Sequence, residues 1–310
     1  MKEIITNVDA GKYKFRIIDH SDENDGKTYK RNFKIGGNTY QDCVNVSIIY
    51  DTAGNPVSAK IPTLVHDPEC SLSSPLERGE GSIAIIKTLL RHVNSVIPTI
   101  TLFEFEDMSN IECGTEEEKH RKRHRKRGTY AVPTALYYFS IAFNSITWYE
   151  KHFNAYYKSQ TEHAKYRTKV ENFLTEEKMM PFDDFLSIAQ PSEKIKDELE
   201  LLYKEASSYK VFFDSIPHDD KCRLVRDWIA SFMENRLNNI FFNKGWVIDV
   251  TKMDTPPAIP PRRLPHETRK ANQKNQKAGS SRKRVTKKSA RYYCPKGRIN
   301  LSRIAYDMGA

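Results

Sequence analysis

The 310-residue chain has no run of 18 or more apolar residues, so no segment of it is expected to span a membrane. Its opening, Met1-Lys2-Glu3-Ile4-Ile5-Thr6-Asn7, lacks the apolar stretch of a signal peptide and points to an intracellular protein. Cysteine is sparse. Cys43, Cys70, Cys113, Cys222 and Cys294 are scattered, odd in number and without a Cys-x-x-Cys pair, which reads as reduced thiols and excludes an evident disulfide framework or zinc site.

Acidic residues are missing from one region. From Thr255 to Ala310 there are 15 Lys and Arg against only Glu267 and Asp307. The whole chain carries +10, so the preceding body is close to neutral and the basic character is an appendage. The prolines at 256, 257, 260, 261 and 265 mark an extended linker, and the Lys/Arg/Gln/Asn/Ser stretch after it is too poor in apolar residues to fold alone. Such a tail suits a polyanion such as nucleic acid, or an acidic protein surface, through Arg282, Lys283, Arg284, Lys287 and Lys288. With only Tyr292 and Tyr293 as aromatics, base stacking is not the expected mode. The same cluster also reads as a nuclear-targeting signal.

What is abundant is patterned. Runs at Tyr13–Ile18, Tyr29–Ile35, Val44–Tyr50 and Ala59–Val65, separated by Asp25-Gly26, Gly36-Gly37 and Gly54-Asn55-Pro56, predict an antiparallel meander. Pro62 cannot donate to a ladder, so the fourth strand is expected to be an edge or to carry a bulge there. Ile86, Leu89, Leu90, Val93 and Ile97 predict a helix that starts at the turn Arg78-Gly79-Glu80-Gly81-Ser82 and stops at Pro98. Thr99–Glu106 predicts a further strand, and strand, helix, strand in this order predicts a crossover between parallel strands.

A polar excursion over 107–132 contains nine consecutive basic or imidazole residues from Lys119 to Arg127. It reads as a solvated loop, a polyanion-binding patch (Arg121, Lys122, Arg123, Arg125, Lys126 and Arg127) or a targeting signal. A helix from Pro133-Thr134 to Phe153 is predicted to present Phe139, Ala142, Phe143, Ile146, Tyr149 and Phe153 on one face. Two later helices are expected, one after Ser192 (Ile195, Leu199, Leu202, Tyr203) and one after Asp219 or Asp220 (Leu224, Val225, Trp228, Ile229, Phe232). A last strand is expected near Trp246–Val250.

Arg78-Gly79-x-Gly81 between a strand and a helix, followed by a strand and a helix ending Trp148-Tyr149-Glu150-Lys151, resembles the GNAT superfamily of acyl-CoA N-acyltransferases. Ile83 stands where that family's loop has Gly or Ala, and its usual Gly-Phe pair is replaced around Phe153-Asn154-Ala155. The acid-rich strand end Phe103–Ser109, Cys113, Thr147–Phe153, Phe212-Phe213 and Trp228 give a more particular similarity to uncharacterised GNAT-like proteins of large nucleocytoplasmic DNA viruses.

The resemblance, which covers roughly residues 10–240, implies an α+β GNAT-like mixed sheet with flanking helices over 1–158 and a helical extension over 159–254, and composition adds the basic tail over 255–310. It further implies an acetyl-CoA pyrophosphate held by Arg78, Gly79, Glu80, Gly81, Ser82, Ile83 and Ala84, and Tyr149 as the acid that reprotonates the departing thiolate. The base is left open among His66, Asp67 and Glu69 near the end of the fourth strand. Against this stand bland readings: a glycine turn that merely starts a helix, and a Tyr149 that merely continues the apolar stripe. The competing functional class is a non-catalytic virion component that keeps the fold and uses the tail to hold a capsid partner or nucleic acid.

Overall fold

The structure, a computed structural model, describes residues 2–22, 29–37, 43–64, 66–107, 109–111, 134–176, 179–238, 240 and 245–255. The basic run 119–127, the tail 256–310, Cys113 and Cys294 lie outside them, as do all the Lys and Arg named above as polyanion contacts.

The chain begins with a meander. Strand β1 (Lys2–Ala10) pairs antiparallel with β2 (Tyr13–Asp22), then β3 (Tyr29–Gly36), β4 (Val44–Tyr50) and β5 (Pro56–Leu64) follow in order. Alternation decides which face is buried: Phe15, Ile17, Phe33, Ile35, Val44, Val46 and Ile48 are all 1% exposed or less, while their strand neighbours Lys14, Arg16, Lys34 and Asn45 remain at least partly exposed. The expected effect of Pro62 is present as a bulge. Asn45 pairs with Thr63 and Ser47 with Lys60, so Ile61 and Pro62 together oppose Val46.

Helix α1 (Glu80–Val96) buries Ile85, Ile86, Leu89, Leu90 and Val93 against the meander. It returns the chain to β6 (Leu102–Phe105), which lies parallel to β5. Among the described residues only Lys60 and Glu104 are in register between these two strands. A two-strand ladder, β7 (Asn110–Ile111) with β8 (Thr134–Ala135), joins the two ends of the 112–133 segment.

The single helix expected up to Phe153 is two. Helix α2 (Leu136–Asn144) ends at Ser145, which has φ 65°, and α3 (Trp148–Phe153) begins with a capping box. Thr147 Oγ1 accepts the Glu150 N–H at 3.2 Å, and Glu150 Oε2 accepts the Thr147 N–H at 2.8 Å. The apolar stripe runs across the break because both helices bury their faces in the same core. Strand β9 (Tyr156–Tyr157) follows, and β10 (Trp246–Asp249) later inserts between β6 and β9. The result is a mixed α+β architecture on a mostly antiparallel eight-stranded sheet ordered β1-β2-β3-β4-β5-β6-β10-β9.

The chain between β9 and β10 is helical: α4 (Gln160–Thr175), α5 (Phe182–Ala189), α6 (Glu193–Glu205), α7 (Tyr209–Ser215), α8 (Lys221–Val225) and α9 (Ile229–Leu237). The helix expected after Asp220 is interrupted between Val225 and Ile229, so Trp228 enters the core from a turn. An aromatic cluster holds this part together. Phe185 lies 4.8–5.9 Å from the rings of Tyr203, Phe212, Trp228 and Phe232. Among the described residues no helix is long and apolar enough to cross a membrane.

The cysteine expectation is overturned. Cys43 and Cys70 form a disulfide with Cα atoms 5.9 Å apart, and Cys222 is disulfide-bonded as well. The pair was invisible in spacing because the β3–β4 connection, not sequence proximity, brings Cys43 to a 3-10 turn at Pro68–Cys70. Gly37 makes that approach feasible, since a Cβ there would sit 1.9 Å from the Glu69 carbonyl oxygen.

Candidate functional site at the divergence of β5 and β6

The bulge at Ile61-Pro62 and the lone paired position between β5 and β6 mean that the two parallel strands do not continue as a ladder toward their C-terminal ends. His66 follows one strand and Asp107 the other, and α1 starts beside the first. Two groups of polar residues therefore frame the divergence.

The first group lies at the start of α1. Gly79 is its N-cap with φ 77°, a conformation that disfavours any side chain. The Glu80 N–H goes to the Arg78 carbonyl at 3.1 Å and the Ile83 N–H to that of Gly79 at 2.9 Å. The N–H groups of Gly81 and Ser82 have no acceptor among the described residues. Gly81 also has a packing reason: a Cβ would fall 2.8 Å from Leu76 Cγ and 3.3 Å from the Tyr13 hydroxyl. Ile83 and Ala84 pack partly buried against the core.

The buried Ser82 hydroxyl lies 3.1 Å from His66 Nδ1. Burial, and then the Arg78 guanidinium, lower the His66 pKa, so the imidazole is neutral near pH 7. Asp67 caps the 3-10 turn by accepting the Glu69 N–H at 2.9 Å. The Glu69 side chain is exposed.

The segment between β5 and α1 is pinned at several points. Besides the disulfide, Leu72 N–H bonds the Lys14 carbonyl at 2.7 Å, Ser73 Oγ the Lys12 carbonyl at 2.9 Å and Leu76 N–H the Pro68 carbonyl at 2.8 Å. A helix start held this firmly is a preorganised one.

The second group lies beyond β6. Asp107 Oδ1 accepts both the hydroxyl and, at 3.1 Å, the N–H of Ser109. Burial pushes the Asp107 carboxyl up to about 6 against the opposing pull of Ser109. Tyr149 is 4% exposed and its ring meets that of Phe105 at 4.5 Å, tilted by 49°. Burial, then the Asp107 charge, hold its phenol well above the usual range, with the Ser109 hydroxyl pulling the other way. Glu150, next to it in sequence, is committed elsewhere: Tyr166 donates to its Oε2 at 2.5 Å and Arg167 approaches Oε1 at 3.4 Å.

The structure thus gathers Arg78, Gly79, Gly81, Ser82 and His66 at one place and Tyr149 at another, with Glu69 outside both. No hydrogen bond or ring contact among the described residues joins Tyr149 to His66 or Glu69. Asp107 and Ser109 were not singled out as reactive groups, because an acid at a strand end is ordinarily solvated and only tertiary burial distinguishes this one. Among the described residues no group of His, Cys, Asp and Glu is arranged to hold a metal ion.

No protein-family model, curated protein or solved structure significantly matches this chain.

Proposed function

We propose that the chain is a GNAT-like N-acyltransferase that moves an acetyl group from acetyl-CoA to an amine. The observation that carries this reading is the β5–α1–β6 unit, in which parallel strands are in register, among the described residues, at Lys60 and Glu104 alone and a glycine-capped helix starts beside the resulting divergence. The residues fit the ligand: the free N–H groups of Gly81 and Ser82 and the positive end of α1 suit a pyrophosphate, and Arg78 adds charge nearby.

In this reading α1 anchors the donor and orients its thioester toward the gap. The incoming amine nitrogen forms a bond to the carbonyl carbon, and the carbon–sulfur bond breaks. Tyr149, kept protonated by its surroundings, donates its proton to the departing sulfur, while the proton that the nitrogen sheds on becoming an amide passes to water, from which the phenolate is reprotonated. His66 is neutral and hydrogen-bonded, which suits it to hold the helix start in place as much as to accept a proton. Calorimetry of the full chain with acetyl-CoA tests the proposal: binding at micromolar to millimolar ligand is expected, and none at millimolar ligand rejects it.

One observation favours a second reading. Tyr149 is packed among Phe105, Trp148 and Phe153 as a core residue would be, consistent with a virion or nucleoprotein component that retains the fold without chemistry and works through its tail. In that case removal of residues 255–310 abolishes binding to nucleic acid or to an acidic protein partner, and unchanged binding rejects it.

A further inference from the structure

Strand β1 is an edge of the sheet along its whole length. Among the described residues its one strand neighbour is β2, in an unbroken register from Lys2 opposite Ser21 to Ala10 opposite Tyr13. Ala10 and Tyr13 flank a two-residue turn, Gly11-Lys12, and such a flanking pair is hydrogen-bonded. Alternation then turns the backbone N–H and C=O groups of Glu3, Ile5, Asn7 and Asp9 away from β2. The devices that usually blunt an edge are missing: β1 has nine residues, no proline, no bulge and no lysine over 3–10. The opposite edge, β9, is only two residues long. At the middle of β1, Ile4 and Ile5 are 45% and 56% exposed, one on each face of the sheet.

An edge of this kind takes another strand, and the side chains decide which strand and in what register. A second copy that meets β1 antiparallel about a two-fold axis must set one residue opposite its own counterpart. An axis at Thr6 sets Glu3 against Asp9 of the second copy, twice, and like charges directly opposite repel. An axis at Asn7 sets Ile5 against Asp9, twice, and wastes the apolar surface. An axis at Ile5 avoids both: Ile5 meets Ile5, Ile4 meets Thr6 and Glu3 meets Asn7. Ile5 lies opposite the partly buried Ile18 of β2 on the same face. This axis therefore lines up Ile18, Ile5, Ile5 and Ile18 in one apolar row across four strands, the β-branched pairing that sheets favour.

We propose that β1 is the contact between two copies of this chain, paired antiparallel about a two-fold axis at Ile5, so that the two eight-stranded sheets run on as one. The N–H and C=O of Ile5 exchange hydrogen bonds with those of Ile5 in the second copy, and Glu3 does the same with Asn7. The axis stands perpendicular to the sheet, so both copies keep α1 on the same face. Each divergence of β5 and β6 stays four strands from the junction and complete within its own copy. The contact therefore stands or falls apart from the acyltransferase reading.

Sedimentation equilibrium of the full chain from micromolar to near-millimolar concentration tests the contact, and a monomer–dimer equilibrium is expected. Ile5→Lys puts two ammonium groups opposite each other at the axis, on Cα atoms about 5.5 Å apart, and should weaken the dimer at least tenfold. Val57→Lys, at a position 65% exposed on β5, should leave it unchanged. Amide exchange is read in parallel: the N–H groups of Ile5 and Asn7 should be protected where the dimer forms and exposed on dilution. The proposal is overturned if the parent chain stays monomeric throughout, if Ile5→Lys dimerises as the parent does, or if Val57→Lys weakens the dimer as much. It is also overturned if the two amides are protected equally at every concentration, which would put a segment of the same chain, such as residues 299–306, on the edge. Should Ile5→Lys fail to fold, the concentration dependence of amide protection in the parent chain decides.

Discussion

Ser82 and His66 meet across the junction of β5 and α1, with Oγ 3.1 Å from Nδ1 and both residues buried. The contact ties the first turn of the helix to the residue just beyond the strand, and it engages the hydroxyl of Ser82 but not its N–H. Replacing Ser82 by Ala leaves the imidazole nitrogen without that partner, so stability should fall by about 1–3 kcal/mol in urea denaturation. Acetyl-CoA affinity, carried by backbone N–H groups, should change by less than about threefold. A large affinity loss with unchanged stability would place the hydroxyl on the ligand and contradict this geometry.

Gly81 has two reasons to be glycine, and a double-mutant cycle separates them. A Cβ at this position meets Leu76 at 2.8 and 2.9 Å, so Gly81→Ala should cost about 1–3 kcal/mol by overpacking. Leu76→Ala alone should cost about 2–5 kcal/mol by opening a cavity. In the double variant the new methyl enters the space Leu76 vacates, and the sum should fall short by roughly 1 kcal/mol or more. Strict additivity of the two urea midpoint shifts would show that Leu76 is not what the glycine accommodates.

Stability should respond to pH in opposite directions at different groups. Burial, followed by Lys151 and Lys87, lowers His152 to about 4, and burial followed by Arg167 lowers His163 to about 4. Unfolded histidine titrates near about 6.5, so each contributes stability that is complete above that value and is lost as pH falls through about 4. Asp107 runs the other way: raised to about 6, it contributes stability below about 3.9 that is lost as pH rises through about 6. Asp107→Asn should therefore stabilise the protein by roughly 2–3 kcal/mol at pH 7–8 and little near pH 4, whereas His163→Gln should flatten the acid limb. Urea midpoints from pH 4 to 8 that superimpose for parent and variants would contradict both assignments.

Strands β2 to β5 were legible because each has one buried face, so Phe15 and Ile17 or Val44, Val46 and Ile48 alternate with polar neighbours. Strand β1 was not, because it is an edge: Ile4 and Ile5 are 45% and 56% exposed and carry no alternation to read. Strand β9 is two residues long, below the length at which any period exists. The apolar spacing from Phe139 to Phe153 continues across the break at Ser145 and hides it, although Thr147-x-x-Glu150 carries the capping signal of a new helix start. Of the site, the glycine turn and Tyr149 could be picked out by local pattern. Asp107 and the Cys43–Cys70 pair could not, since burial and a long-range approach exist only after folding.

The Cys43–Cys70 bond closes a loop with a sequence separation of 27, and loop-closure entropy then assigns it about 3.5 kcal/mol. Both cysteines are buried, 2% and 0% exposed, so a reductant should reach them only after local opening. Cys43→Ala with Cys70→Ala should lower stability by about 2–4 kcal/mol and loosen the segment that presents His66 and Arg78. The check is a urea midpoint alongside amide exchange of Leu72 and Leu76, whose N–H groups bond Lys14 and Pro68. A variant with unchanged midpoint and unchanged exchange would show that the bond contributes nothing to holding this segment.

Tyr149→Phe distinguishes the transferase from the scaffold. The substitution removes one oxygen and leaves the ring on Phe105, Trp148 and Phe153, so packing is retained and the midpoint in urea should move by less than about 1.5 kcal/mol. If the phenol reprotonates the leaving thiolate, kcat for acetyl transfer to a bound amine should fall by about 10²–10⁴ while acetyl-CoA affinity holds. The effect should fall on kcat more than on KM, because a proton given up as the carbon–sulfur bond breaks stabilises the transition state and not the bound substrates. A variant that transfers acetyl groups at the parent rate would leave Tyr149 as a core residue and move the search for an acid to Ser109 or solvent. A parent chain that binds acetyl-CoA yet transfers to no ammonium substrate, with Tyr149→Phe indistinguishable from it in every assay, would favour the scaffold.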